Sequence, residues 1–211
     1  MNMTARMLVI GLAAVTLACD TARRDDASAN RDYGTTIGTA GVGSGDREFV
    51  ETSMGSGMLE VELGKIAQQK ATHPEVKQFA DMMIRDHSKA GEELKQVAQQ
   101  HSLQAQAQLE DNHRDLIQRL SGLSGAEFDR EYMNAMVDSH QDVIDHLQSR
   151  ADVDRFGDNQ GSVSPEPSDN PVESSLNQWA AETLPTTRHH LDEARRINDS
   201  LGNRLTQDSR R

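Results

Sequence analysis

Along the chain, apolar residues recur at steps of three and four in five stretches separated by polar or Gly- and Pro-containing breaks, a period that predicts helices. The first stretch is 47–70, where Phe49, Val50, Met54, Met58, Val61 and Ile66 share a loose face. Gly57 and Gly64 lie on one side of it with Glu60 between them, an arrangement that would let a neighbouring helix come close. His73 and Pro74 end the pattern, and Pro74 suits the first turn of a new helix. The second helix, 75–101, is the most regular, with Val76, Ala80, Met83, His87, Ala90, Leu94 and Val97 forming one seam. A third is expected over 105–120 through Leu109, Leu116, Ile117 and Leu120. A fourth runs from Gly125 and Ala126 towards Arg150 and carries Phe128, Tyr132, Met136, Val137, Val143, Ile144 and Leu147.

Residues 152–170 are acidic, rich in Gly, Ser and Pro, and aperiodic, so they read as a disordered loop. The last helix begins near Pro171 and carries Leu176, Trp179, Ala180, Leu184, Leu191, Ala194, Ile197 and Leu201, with Pro185 expected to kink it. The expected architecture is an all-α four-helix bundle over 47–204 with an extra helix or a kinked last one, then a tail over 205–211 that frays. An internal echo supports two related halves. MIRDHSKAGEEL from Met83 lies over MVDSHQDVIDHL from Met136, with Met, an acid, His and Leu at the same or neighbouring places.

The N-terminus has a different character. One positive charge, Arg6, precedes an apolar run from Met7 to Ala18 that is short for a bilayer span but fits a signal peptide over 1–18. Cys19 follows the small residue Ala18 and resembles the acylated cysteine of a bacterial lipobox, although Thr16 stands where that pattern prefers Leu. Lipid attachment at Cys19 would hold the chain on the periplasmic side of a membrane; ordinary cleavage would release it as a soluble periplasmic protein. Asp20 resembles an inner-membrane retention signal of some bacteria, a rule that differs between organisms. Residues 19–46 read as a flexible tether, spanning roughly 30 Å as a random coil.

Composition narrows the partners. Aromatic residues make up 3% of the chain, too few for a strand-rich fold. The formal charge of -12 repels phosphate backbones, so nucleic acid is excluded as the expected partner in favour of the membrane and other envelope proteins. The single cysteine rules out an internal disulfide. No Gly-x-Ser-x-Gly elbow is present, and GVGSG at Gly41 lacks the strand and Lys of a phosphate loop. A binding or structural role therefore ranks above catalysis.

FVETSMGSGMLEVELGKIAQQKA, VKQFADMMIRDHSKAGEEL, HRDLIQRLSGLSGAEFDREYMNAMVDSH and LPTTRHHLDEA, taken in order, resemble the ferritin-like bacterial envelope family catalogued as domain of unknown function 4142. The resemblance covers about 49–194 and implies a ferritin-like bundle in an exported protein, with no reaction attached. It places His87, His140 and His190 at the family's recurrent histidine positions and Glu60 at its acidic position in the first helix. Ser139 departs from the pattern, which usually has an acid before that histidine.

Four such residues on four helices are how bundles build metal sites, with Asp86 or His113 as supporting partners or additional ligands. No cofactor is required by the sequence; a transition metal, Cu, Fe or Zn, is the cofactor such a site would take. Di-iron carboxylate chemistry is disfavoured, because Ile84 and Val137 stand where its Glu-x-x-His motifs need acids. Met83 and Met136, each four residues before a histidine, offer a His/Met set suited to Cu(I). The favoured reading makes the histidines a buried hydrogen-bonded network that fixes helix register, and the methionines gap-fillers, with the metal site as the alternative. His73, His101, His146 and His189 read as solvated or terminal.

Overall fold

A computed structural model describes residues 43–153 and 162–208, with side chains up to Gly202. The signal peptide, Cys19 and the tether up to residue 42 lie outside the described residues, as do 154–161 and 209–211. Among the described residues there are five helices: α1 (Ser44–Lys70), α2 (Pro74–Gln100), α3 (Asp111–Ser121), α4 (Gly125–Gln148) and α5 (Pro171–Asp208). The all-α bundle expected from periodicity is the observed class. None of these helices is long and apolar enough to cross a membrane.

α1 packs chiefly on α2 and α4 chiefly on α5, while α1 against α4 and α2 against α5 close the ring. Two apolar clusters fix the helix directions. One, at the α1–α2 turn, holds Ala67, Val76, Phe79, Met83, Phe128, Tyr132, Met136, Ala194 and Ile197. The other, at the far end, holds Phe49, Val50, Leu94, Ile144, Leu147, Leu176, Leu184 and Leu191. α2 and α4 thus both run from the first cluster to the second and lie diagonally, and α1 and α5 run the opposite way. Four helices in that order need one long crossover, from the end of α2 back to the start of α4.

That crossover corrects the expected third helix, since residues up to Glu110 are extended and only Asp111–Ser121 is helical. From Leu103 to Glu110 burial alternates strictly, with Leu103, Ala105, Ala107 and Leu109 turned inward and Gln104, Gln106, Gln108 and Glu110 outward. Extended chain advances about 3.3 Å per residue against 1.5 Å in a helix, so it returns along the bundle in fewer residues. The strap lies directly on α1. Gln106 N donates to Glu51 Oε1 at 3.2 Å, and a Cβ at Gly55 would come within 2.8 Å of the Gln108 carbonyl oxygen. The close helix approach expected near Glu60 occurs at Gly64, where a Cβ would meet Ile84 Cγ1 at 2.8 Å and Ala80 O at 3.1 Å. Gly57, by contrast, has open space around it.

The loop after α4 is also partly ordered. Ala151–Val153 (β1) and Val163–Pro165 (β2) form an antiparallel pair in the register Ala151 with Pro165 and Val153 with Val163. Asn177 Nδ2 donates to Glu166 O at 2.8 Å and pins the pair to α5. α1 begins at Ser44, inside the expected tether, and Asp46 is buried there against Arg150 at 2.8 Å. α5 passes Pro185 without interruption and extends to Asp208, within the tail expected over 205–211. Asp129 of α4 ties down the α1–α2 turn, accepting hydrogen bonds from Thr72 N, Thr72 Oγ1 and His73 N at 3.0, 2.7 and 2.9 Å.

The two neighbouring glycines of α1 give opposite expectations. Gly57→Ala, in open helix, should stabilise the fold by about 0.5–1 kcal/mol through helix propensity. Gly55→Ala should destabilise it by about 1–2 kcal/mol, because overpacking against the strap outweighs that gain. Urea unfolding of the two variants checks both signs.

Candidate metal centre

Between the two apolar clusters each of the four long helices places one titratable residue in the interior: Glu60 from α1, His87 from α2, His140 from α4 and His190 from α5. Glu60 and His140 are fully buried, His190 is 1% exposed, and the His87 side chain is 10% exposed. The sequence echo explains part of this placement. Met83 and Met136 lie in the first cluster and Leu94 and Leu147 in the second, so His87 and His140 fall at the same level. The three imidazole rings form a nearly equilateral triangle, with centroids 5.4 Å (His87–His140), 5.3 Å (His87–His190) and 5.4 Å (His140–His190) apart.

Each ring has one nitrogen engaged. His87 Nδ1 lies 2.9 Å from Glu60 Oε2, and His190 Nε2 lies 3.0 Å from Asp86 Oδ2. His140 Nδ1 donates to the Met136 carbonyl at 2.9 Å, four residues back, and sits 3.2 Å from Glu60 Oε1. The contacts to Glu60 are ion-pair distances with off-line geometry. Its best-aligned hydrogen bond comes from Ser139 Oγ at 2.8 Å. The remaining nitrogens, His87 Nε2, His140 Nε2 and His190 Nδ1, are buried and have no hydrogen-bond partner, and neither has the buried Glu60 Oε2, which meets His87 only at ion-pair distance.

Buried polar atoms without partners are rare in folded proteins, so three in one cluster call for a ligand. One nitrogen from each of the three histidines lies within 4.8 Å of the others. That upper bound exceeds the roughly 3.4 Å between tetrahedral ligands on a zinc ion, a difference that small ring rotations can close. The donor chemistry fits. Imidazoles held by a carboxylate or carbonyl on the far nitrogen are the usual form of metal-binding histidine, because that partner fixes tautomer and ring orientation. The three histidines are close enough to hold a metal ion.

The expected site residues are therefore sorted by the fold. His87, His140 and His190 converge as expected. Glu60, expected as a fourth ligand, lies against His87 and His140, and Asp86 lies against His190. His113 is corrected: it lies on α3, where its Nδ1 accepts from Glu110 N at 3.4 Å at the helix start, and it does not join the cluster. Met83 and Met136 are buried in the first apolar cluster, and the triangle is complete without their sulfur atoms. Ser139 donates its hydroxyl where an acid would face the charge of Glu60. His146, read as solvated or terminal, is instead stacked on Phe49 with centroids 4.6 Å apart and within 3.1 Å of Ser53 Oγ. Sequence periodicity missed it because its partners lie on another helix.

Electrostatics divide the layer. Burial would raise the Glu60 carboxyl, but His87, His140 and the Ser139 hydroxyl outweigh it and hold Glu60 ionised. Burial likewise works against a charged His87, yet the adjacent Glu60 carboxylate prevails and raises it. His140 is lowered, by burial first and then by the His87 charge, although Glu60 opposes this. His190 falls to about 4, through burial and the charge on His87, against the pull of Asp86. At neutral pH His140 and His190 thus present lone pairs, the form a metal requires.

A family model described as domain of unknown function, DUF4142, matches residues 35–157, and the chain belongs to that family. Comparison with curated proteins and with solved structures finds no match.

Acid should destabilise the metal-free protein. Between about 6.5 and about 4 the unfolded chain protonates its histidines while folded His190 resists. The unfolded state then binds more protons, and stability rises with pH across that window; His140, also lowered, adds in the same direction. His87 opposes them, since its contribution is complete below the unfolded value and is lost as pH rises through its raised folded one. Urea midpoints should be lower at pH 4.5 than at pH 6.5, with a shallower fall in His190→Gln. An unchanged slope in that variant contradicts the assignment.

Proposed function

We propose that this protein is a metal-binding bundle of the bacterial cell envelope, holding one transition-metal ion on His87, His140 and His190. The observation that carries this reading is the set of three buried, partnerless imidazole nitrogens, each ring braced on its other nitrogen. Three imidazoles suit Zn²⁺ first, with copper and iron as competitors, since softer ions gain from sulfur and harder ones from oxygen. A single triangle fits one ion. Among the described residues the carboxylates against the rings are Glu60 and Asp86, fewer than a dinuclear carboxylate centre uses. The single long crossover supports the ferritin-like connectivity implied by the family resemblance. The role is binding, with no reaction assigned.

Metal analysis of the purified chain, with His87→Ala and His140→Ala as controls, tests the centre. Wild type should hold about one equivalent of Zn²⁺ and melt at a higher temperature with it, while Glu60→Gln should weaken affinity by about 10–100-fold. Wild type holding no more metal than His140→Ala would return the histidines to a structural network.

Export and attachment through a lipid on Cys19 complete the reading, supported by the apolar run before Ala18 and the polar residues that follow. The Cys19→Ala variant should move from the membrane fraction to the soluble periplasmic fraction. Equal membrane retention of that variant would refute the anchor.

A further inference from the structure

A buried centre needs an access path, and the helix surfaces around His87 contain an unexplained feature. Gly57 of α1 and Gly91 of α2 both lie in helix interiors, where glycine weakens a helix, and a Cβ on either would meet nothing within 4 Å. Neither glycine is needed for packing, unlike Gly55 and Gly64. Both occupy the same place in the fold. On the outside, Gly57, Gly91 and His87 line a groove of about 410 Å³, together with Met54, Met58 and Leu109. On the inside, the same three residues line a cavity of about 30 Å³ that also touches Glu60, Thr183 and Thr187.

The cavity has room for about two water molecules, and its hydroxyl and carboxylate groups give them partners. His87 stands between groove and cavity, its side chain nine-tenths buried and its Nε2 without a partner. At the rim, Lys65 pairs with Glu62 at 3.3 Å and Lys95 with Glu92 at 3.4 Å, so the mouth carries balanced charge. Met58, 44% exposed, adds an apolar side chain at the entrance.

We propose that Gly57 and Gly91 frame a window between α1 and α2, through which the metal ion and a water-sized exogenous ligand reach the His87 edge of the centre. This rests on the metal-binding reading above and adds to it that the bound ion keeps an exchangeable coordination position, as sites with three protein ligands do. The glycines are kept bare because any side chain there would project into the opening. The ligand class is set by the cavity: one or two heavy atoms beyond water, a small anion such as azide serving as the probe.

The test uses the full chain and Co²⁺, whose visible absorption reports coordination. Wild type mixed with Co²⁺ in a stopped flow should develop its band rapidly, and azide should then shift that band. Gly57→Leu and Gly91→Leu should slow the development at least about tenfold and abolish the azide shift, while equilibrium Co²⁺ affinity changes by less than about threefold. Gly45→Ala, at the start of α1 and away from the opening, should behave as wild type. Should a leucine variant fail to fold, Gly57→Ala with Gly91→Ala should show the same direction at smaller size. Co²⁺ binding with wild-type rates and an intact azide response in the folded variants overturns the window alone. A wild-type chain that binds no Co²⁺ overturns the centre and the window together.

Discussion

The interior is organised around the Glu60 carboxylate, fully buried between two apolar clusters. An isolated carboxylate there costs several kcal/mol in lost hydration, so it persists only where opposite charge and hydrogen-bond donors meet it. His87, His140 and Ser139 supply them, and in doing so they draw α2 and α4 onto α1. His190 is held to the same layer by Asp86 rather than by Glu60. A polar layer so connected admits few alternatives: sliding any of these helices by one turn would strand a charge against an apolar side chain.

Satisfying the outer nitrogens has a second effect. With their far sides held at Glu60, Met136 and Asp86, the rings leave His87 Nε2, His140 Nε2 and His190 Nδ1 without a protein partner. Burial and the charge on His87 keep His140 and His190 neutral, so those two rings keep a lone pair each. The layer that sets helix register is thereby also the layer in which three histidines lie close enough to hold a metal ion.

The long crossover serves the same end. By running extended along α1 it covers the groove side of the helix near Gly55 and supplies Leu109 to the groove that reaches His87. The close contact at Gly55 and the empty space at Gly57, two residues apart on one helix, show a backbone pressed by its neighbour at one point and left open at the next. Gly55 follows from packing; Gly57 calls for an explanation in access.

The helical class, the level of His87 and His140 and the break at Pro74 were all legible in the sequence, because each depends on local periodicity or on a residue's own backbone preference. The strap was missed: Leu, Ala, Ala and Leu alternate with Gln, Gln, Gln and Glu from Leu103 to Glu110, but the helix-forming character of Ala and Gln pointed to a helix there. Tertiary structure alone decided that Glu60 lies against both His87 and His140, that Asp86 reaches His190, that His113 stands apart and that His146 is packed on Phe49. Those outcomes turn on which atoms of different helices come within about 3 Å of each other, a distance set by helix rotation and crossing that no single helix's pattern encodes.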